Sequence, residues 1–307
     1  MIWALGVAAI AFALWPFVAE ALRRPVDALL QAEAPGQFVE LKGGATHYHW
    51  DGPEGGPVIV LIHGLSSPSY VWEGVVPGLC NLGFRVLRYD LLGRGYSDRF
   101  SGRVSDQRYV EQLNDLLSAL EVSGRVSLIG YSMGARIASD YVAKDAERVQ
   151  HLCLVAPAGM THHLTKTEQM ARDIPVFGDW FARGFGLLKY RAKVQAQDGG
   201  STVPDMTKRL LAETHIRGLA PAMLADLRDV LRDTDFAEHQ RIARAAVPVA
   251  AVFGADDQVI PISSAGQLQT WNPDADIRII DGAGHSLPHT HPQSVVEAFE
   301  KLSDDFL

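Results

Sequence analysis

The sequence predicts an α/β fold with a mostly parallel, twisted sheet and helices on both of its faces. Short apolar runs of strand length alternate with stretches of helical periodicity, and the central runs are apolar throughout, as in strands covered on both sides. Between residues 160 and 245 the alternation stops, and only helical stretches appear before it resumes. These two patterns predict one α/β unit with an inserted helical lid. The predicted divisions are an apolar N-terminal segment (1–24), a first core part (25–159), the lid (160–245) and a second core part (246–307).

The predicted elements follow from local patterns along the chain. Two short runs on either side of Gly43-Gly44, within residues 37–51, predict an antiparallel hairpin. Residues 24–36 are predicted to be a linker. Helical spacing of apolar residues predicts helices over residues 70–82 and 109–120, and a further helix after Ser132. Continuous apolar runs predict strands over residues 58–62, 84–89, 149–155, 249–253 and 277–281, and another that begins at Val126.

Residues 1–19 carry no charged side chain and are nearly all apolar. A helix of this length about crosses a bilayer core, with Trp3 and Trp15 at the two interfaces. Arg23 and Arg24 follow, and the positive-inside bias then predicts a membrane anchor that leaves the catalytic domain in the cytoplasm. One alternative is a signal peptide cleaved at Ala19-Glu20-Ala21, which gives a periplasmic or secreted protein, although no basic residue precedes the apolar run. The other is an apolar leader packed on the domain itself.

Composition and charge exclude some functions. The net charge is −8 and the Lys and Arg residues are scattered, which argues against nucleic acid as a main partner. The two cysteines, Cys80 and Cys153, lie in apolar surroundings and do not indicate a disulfide framework. Nothing in the composition predicts an oligomeric state.

A Gly-x-Ser-x-Gly turn centred on Ser132 joins a predicted strand to a predicted helix. Gly130 and Gly134 remove the side chains that would collide when the backbone doubles back. The turn exposes the Ser132 hydroxyl beside the free N–H groups at the start of a helix. These features suit a nucleophile whose attack creates an oxyanion. An ordinary strand-to-helix turn with a serine there by chance is the alternative interpretation.

A serine hydroxyl needs a base within hydrogen-bond reach and a group that orients the base. In an open α/β sheet such groups gather at the carboxyl ends of strands. Asp256 and Asp257 follow the strand at 249–253, and His285 follows the strand at 277–281. The chain order Ser132, Asp257, His285 is the order of an α/β-hydrolase.

The sequence resembles the α/β-hydrolase superfamily, of the kind that includes monoacylglycerol lipases and bacterial carboxylesterases. The likeness extends from Phe38 to Leu302. It is carried by His63-Gly64-Leu65, Asp90-x-x-Gly93-x-Gly95-x-Ser97, Gly130-Tyr131-Ser132-Met133-Gly134, Gly254-x-x-Asp257 and Gly284-His285.

The resemblance implies the roles of the site residues. Ser132 is expected to be the nucleophile, His285 the base and Asp257 the acid that holds the imidazole, with Asp256 as the second choice. The backbone N–H groups of Leu65 and Met133 are expected to form the oxyanion hole. His63 is expected to brace the oxyanion loop.

Several residues suggest other chemistry without sufficient support. Histidines occur close together at His47 and His49, at His162 and His163, and at His289 and His291. No carboxylate or cysteine set accompanies any pair at a zinc spacing, so no metal and no cofactor is predicted. The Gly93-x-Gly95 loop lacks the following helix and third glycine of a phosphate cradle. We expect it to shape the floor near the site.

A serine at the turn, with an aromatic and apolar lid, predicts a hydrolase of carboxylic esters, with an amphiphilic ester or monoacylglycerol as the leading substrate class. Phe177, Trp180 and Phe181 are the lid residues predicted to bind substrate, although such side chains also fix a lid to its sheet. A carbon–carbon bond or lactone hydrolase is the enzymatic alternative, which Arg183 and Arg191 would favour if they lay near the site. An anchored binding module without activity is the alternative that is not an enzyme.

Overall fold

The computed structural model describes residues 2–99, 106–161, 164–196 and 199–304. Within them one eight-stranded sheet has the order β1-β2-β4-β3-β5-β6-β7-β8. The first two pairings, β1–β2 and β2–β4, are antiparallel and the others are parallel. The predicted mostly parallel sheet and hairpin are therefore confirmed. The strands are β1 Gln37–Leu41, β2 Gly44–Asp51, β3 Val58–Ile62, β4 Arg85–Tyr89, β5 Val126–Tyr131, β6 Val149–Val155, β7 Val249–Gly254 and β8 Asp276–Ile280.

Helices connect the strands and fill the interval between β6 and β7. The helices are α1 Ile2–Ala21, α2 Ala28–Gln31, α3 Val76–Asn81, α4 Asp106–Ala119, α5 Met133–Lys144, α6 Lys166–Asp173, α7 Pro175–Phe181, α8 Leu187–Ala196, α9 Met206–Glu213, α10 Leu219–Arg228, α11 Phe236–Arg244, α12 Ser263–Trp271, α13 Leu287–Thr290 and α14 Pro292–Asp304. A π-helical segment, Ala182–Gly186, joins α7 to α8. We call the part from α6 to α11 the insertion.

Each face of the sheet has its own core, because successive strand residues point to opposite sides. Val60 and Ile62 of β3 pack on the side that carries α4 and α5. Ile59 and Leu61 pack on the other side, with α3 and α14. All four side chains are fully buried. This accounts for strands that are apolar at every position.

Two predicted elements differ from the structure for local reasons. The predicted helix at 70–82 is divided into a 3₁₀ turn, Ser69–Trp72, and α3, which starts beside Pro77. Proline lacks an N–H and fits only the first turn of a helix, so it restarts the helix there. The predicted linker contains the short helix α2, whose first N–H groups bond to the Asp27 carboxylate.

Helix α1 lies against the insertion with its C-terminal half, while its first half projects alone. Residues 2–15 are exposed, whereas Pro16 and Glu20 are buried. The Glu20 carboxylate accepts a hydrogen bond of 2.6 Å from the backbone N–H of Gly218. Among the described residues, α1 is the helix whose length and hydropathy suit a membrane span. It therefore has both a contact with the folded domain and a free apolar end.

Candidate active site

Ser132 lies on a sharp turn between β5 and α5. Its φ of 53° and ψ of −116° fall outside the regions that L-residues favour. The turn fits only small neighbours: a Cβ on Gly130 would lie 2.4 Å from the Gly134 carbonyl oxygen, and one on Gly134 would lie 2.2 Å from the Ile62 carbonyl oxygen. The predicted reason for both glycines, close backbone approach, is what the structure contains.

The structure brings Ser132, His285 and Asp257 together as a hydrogen-bonded triad. His285 Nε2 lies 3.0 Å from Ser132 Oγ, and His285 Nδ1 lies 2.8 Å from Asp257 Oδ2. The other Asp257 oxygen accepts hydrogen bonds of 2.7 and 2.9 Å from the N–H groups of Val259 and Ile260. The Asp257 side chain is 2% exposed and that of His285 is 18% exposed, so the imidazole is the more solvent-accessible of the two.

Asp256, the second choice for the acid, lies elsewhere. It is exposed, whereas Asp257 is buried. The backbone N–H of Asp256 bonds to the Ala283 carbonyl oxygen, in the segment that leads to His285. Asp256 thus helps hold the loop by its main chain, and Asp257 is the carboxylate beside the imidazole.

The loop His63-Gly64-Leu65 passes directly beside Ser132. A Cβ built on Gly64 would lie 3.3 Å from Ser132 Cβ. His63 accepts a hydrogen bond of 2.8 Å at Nε2 from the Leu91 N–H and donates one of 2.8 Å from Nδ1 to the Gly64 carbonyl oxygen. Burial lowers the pKa of His63 to about 4, so its imidazole is neutral. His63 braces the loop, as its expected role required.

Arg94 is a residue of the site whose role the sequence did not indicate. Its Nε donates to the Leu65 carbonyl oxygen, and its Nη2 donates to Asp226 Oδ2 in α10 of the insertion. Tyr109 Oη donates to the other oxygen of Asp226 at 2.9 Å. The side chains of Arg94 and Asp226 are fully buried. One guanidinium thus connects the loop beside Ser132 to the insertion, and the Gly93-x-Gly95 turn positions it.

A cavity of about 480 Å³ adjoins Ser132 and His285. Its volume is within the range typical of small-molecule sites. Ser132, His285 and Leu65 contribute to its wall. Its polar side includes Thr165, Glu168, Lys189 and Lys193. The insertion supplies much of the apolar wall, including Phe181, Leu187, Met206, Met223 and Leu227, and Leu164 just before it contributes as well.

Of the three lid aromatics predicted to bind substrate, only Phe181 lines this cavity. Phe177 stacks on Phe181, with 5.7 Å between ring centroids, and so lies behind it. The Trp180 ring lies 5.0 Å from the ring of Phe12 in α1. The correction follows from helix geometry, because neighbouring positions on one helix face different sides and composition alone does not show which side meets the cavity.

The two arginines that would have favoured a polar-acid substrate lie away from the cavity wall. Arg183 pairs with Asp179 and lies over the Phe17 ring at 5.3 Å. Arg191 lies 3.2 Å from His215 Nε2. The cations that line the cavity are Lys189 and Lys193, and Lys189 is paired with Glu168 at 3.1 Å.

The paired histidines have separate surroundings. His47 Nδ1 lies 2.8 Å from Asp90 Oδ2 in the core, and burial lowers the pKa of His49 to about 4. His289 lines the cavity, and burial lowers its pKa to about 4 as well. His162 and His163 lie outside the described residues. Within the described part of the chain, no three His, Cys, Asp or Glu side chains are grouped as metal ligands.

Comparisons with known proteins identify the family of this chain. A family model described as alpha/beta hydrolase fold matches residues 57–292. An uncharacterized protein of Mycobacterium tuberculosis is 28% identical over 269 residues, covering 81% of this chain and 76% of that protein. Monoacylglycerol lipase ABHD6 of Homo sapiens is 24% identical over 270 residues, covering 82% of this chain and 75% of that protein.

A solved structure shares the fold over nearly the same extent. The enol-lactonase from Burkholderia xenovorans LB400 superposes with a TM-score of 0.74 at 19% identity, covering 87% of this chain and all of that chain (100%). The matched family region, residues 57–292, includes Ser132, Asp257 and His285. The chain belongs to the alpha/beta hydrolase fold family.

Proposed function

We propose that this protein is a serine hydrolase of carboxylic esters that acts through an acyl-enzyme. The observation that carries the proposal is the triad Ser132–His285–Asp257, with hydrogen-bond contacts of 3.0 and 2.8 Å, at the wall of an apolar cavity. A binding module that had lost activity would be expected to lack at least one member of the triad. The presence of all three members supports an enzyme.

In the proposed reaction Ser132 Oγ attacks the ester carbonyl carbon while His285 Nε2 takes the hydroxyl proton. The imidazolium returns the proton to the departing alcohol, which leaves an acyl group on Ser132. A water molecule, deprotonated by His285, then releases the acid. Asp257 accepts a hydrogen bond from His285 Nδ1, stabilises the imidazolium and keeps Nε2 directed at Ser132.

The developing oxyanion is proposed to bind the backbone N–H groups of Leu65 and Met133. Met133 is the first residue of α5, where N–H groups have no partner within the helix. Leu65 follows Gly64, which approaches the Ser132 side chain closely. Losing one such donor typically costs about 10²–10³ in kcat, so the position of this loop matters to the rate.

The proposed substrate class is an amphiphilic ester, with a monoacylglycerol as its leading member. The apolar wall from the insertion supports an acyl chain, and the polar side at Thr165, Glu168 and Lys193 supports a hydrated headgroup. A relative named as a monoacylglycerol lipase agrees with this class. Arginines at the wall would have favoured a lactone or carbon–carbon bond substrate, and Arg183 and Arg191 lie elsewhere.

A chain-length series tests the substrate class. We expect kcat/KM for p-nitrophenyl esters to rise from acetate towards longer acyl chains, because each buried methylene contributes about 0.8 kcal/mol, or roughly fourfold. Monoacylglycerol hydrolysis is measured beside the series. A maximum at acetate or butyrate would indicate a general esterase instead, and a rate confined to lactones or vinylogous diketones would reject open-chain esters as the substrate class.

The N-terminal helix is proposed to remain on the mature protein as a membrane anchor, with the catalytic domain on the cytoplasmic side. The backbone N–H of Arg24 donates to the His215 carbonyl oxygen at 3.0 Å, and the backbone N–H of Arg217 donates to the Arg24 carbonyl oxygen at 2.8 Å. Cleavage after Ala21 would remove the neighbouring contacts of Glu20 and Phe12 with the insertion. These contacts support an anchor over a signal peptide.

Arg94 is expected to set the rate through the oxyanion loop as well as to stabilise the fold. Arg94→Met leaves the Asp226 carboxylate buried without its cation, so we expect unfolding free energy to fall by about 3–5 kcal/mol. The Leu65 carbonyl also loses its donor, and a misplaced loop lowers kcat by up to about 10². Urea unfolding and kcat for p-nitrophenyl butyrate measure the two effects.

A double substitution separates these two effects. Arg94→Met with Asp226→Leu replaces the ion pair by apolar side chains and is expected to recover most of the lost stability. Its kcat should stay low, because the Leu65 carbonyl still lacks a donor. Recovery of kcat together with stability would show that Arg94 acts on the fold alone.

A further inference from the structure

Helix α1 and the insertion form a continuous apolar surface. The Phe12 and Trp180 rings are 5.0 Å apart, and Trp180 Nε1 donates to the Phe12 carbonyl oxygen at 3.3 Å. One turn further along α1, the Trp15 ring meets the Phe185 ring edge-on at 6.0 Å. Gly184 permits close packing of the π segment on Pro16, since a Cβ there would lie 3.1 Å from the proline ring. The contact therefore lies along one side of α1, from Phe12 to Pro16.

The position of this contact along α1 sets its depth in a bilayer. Between residue 2 and Ala19 the helix has no charged residue, and its mean hydropathy is 2.1. Phe12 precedes Glu20 by eight residues, or about 12 Å along the axis. In a helix that crosses a hydrocarbon core of about 30 Å, the segment from Phe12 to Ala19 occupies the leaflet nearest the catalytic domain. Trp180 and Phe185 are bound to that segment and share its depth.

The insertion exposes large apolar side chains next to this contact. Val176 lies one turn before Trp180 on the same face of α7 and is 83% exposed. Ile174, immediately before α7, is 47% exposed. We call Val176 and Trp180 the α7 face. Removing apolar surface from water is favourable by about 25 cal/mol per Å². Contact with another apolar surface therefore stabilises these exposed side chains.

Charged residues mark where the apolar surface ends. Arg23, Arg24, Arg183 and Arg217 surround the C-terminal end of α1, and Arg23 Nη2 donates to the Arg183 carbonyl oxygen at 3.1 Å. Arg23, Arg24 and Arg183 are paired with Glu20, Glu33 and Asp179, so only a small net positive charge remains. The resulting arginine band, with its small positive charge, matches the anionic headgroups of a lipid surface. The Arg172–Asp173 pair, beside Ile174, lies at the opposite end of α7 from Trp180, so the beginning of α7 is placed nearer the headgroups than Trp180.

We propose that the α7 face is embedded in the lipid leaflet that α1 crosses, so that the insertion is a second membrane contact of this protein; this inference rests on the anchor role proposed above for α1. The surface is continuous with a helix of membrane-spanning length, and the arginine band fixes its level at the headgroups. Phe181, at the cavity wall, stacks between Phe177 and Phe185. Aromatic contacts therefore run from Trp180, beside α1, through Phe185 to Phe181 at the cavity wall.

Depth measurements on the full-length chain test the proposal. Val176→Cys is labelled with a nitroxide, and the protein is reconstituted in vesicles of phosphatidylcholine and phosphatidylglycerol. Collision rates with oxygen, which concentrates in lipid, and with a neutral nickel chelate, which stays in water, are then measured. The matched control is Ser123→Cys, an exposed site just before β5, at the amino end of that central strand and therefore opposite the end that carries Ser132. The unsubstituted protein corrects for labelling of Cys80 and Cys153.

We expect the oxygen-to-nickel ratio at position 176 to exceed that at position 123 several-fold. Equal ratios at the two sites would overturn the proposal. Protection from both reagents together with dipolar broadening would also overturn it, because a second copy of the chain would then cover the α7 face. A label at Leu5→Cys reports on α1 itself, so loss of the anchor is distinguished from an α7 face that stays in water. None of these readouts depends on ester hydrolysis.

Discussion

Ser132→Ala is expected to lower kcat for p-nitrophenyl butyrate by about 10⁴–10⁶-fold while the protein stays folded. The substitution removes the only atom of residue 132 that can attack, and His285 Nε2, 3.0 Å away in the native protein, then faces a methyl group. A fluorophosphonate should label the unsubstituted protein at Ser132, as read by mass spectrometry of peptides, and should leave Ser132→Ala unlabelled. Turnover within tenfold of the unsubstituted rate would reject the serine mechanism.

The matched control is Ser139→Ala, which removes a buried serine hydroxyl from α5, the helix that begins directly after Ser132. Ser139 Oγ has no hydrogen-bond partner within the described residues, so its loss should change neither turnover nor stability appreciably. Stability gives an independent check on the turn. Because residue 132 has a φ of 53°, Ser132→Gly should raise unfolding free energy by about 1 kcal/mol, whereas Ser132→Ala should leave it nearly unchanged.

The positions of Ser132, Asp257 and His285 could be predicted because each depends on local signals. Two glycines flank the serine, and the acid and base follow apolar runs that end at the same edge of the sheet. The prediction of one continuous helix at 70–82 was wrong although a local signal was present, because Pro77 fits only the first turn of a helix. Patterns of this kind span a few residues and reflect the backbone's own constraints.

The contacts between distant segments could not be predicted in the same way. Arg94 and Asp226 are separated by 132 positions, and neither has a neighbour in sequence that reveals the other. The same limit applies to α1, whose Trp15 gives no sign that Phe185 will cover it. The aromatic content of the insertion predicted an apolar wall, but only packing determines that Phe181 meets the cavity. Contacts between residues that are distant in sequence are therefore visible only in the tertiary structure, and a single sequence does not show them.

Asp257→Asn is expected to lower kcat by about 10⁴, and Asp256→Asn to change it little. The N–H groups of Val259 and Ile260 both donate to Asp257 Oδ1, so an asparagine must keep its carbonyl oxygen there. Its NH₂ group is then forced towards His285 Nδ1, where the native carboxylate accepts a hydrogen bond. The imidazole responds by carrying its proton on Nε2, which faces Ser132 and can no longer take the hydroxyl proton. Steady-state kinetics of the two variants, with thermal unfolding as a check on folding, compare neighbouring aspartates of opposite exposure. A large loss with Asp256→Asn and a small one with Asp257→Asn would transfer the orienting role to Asp256 and contradict this account of the site.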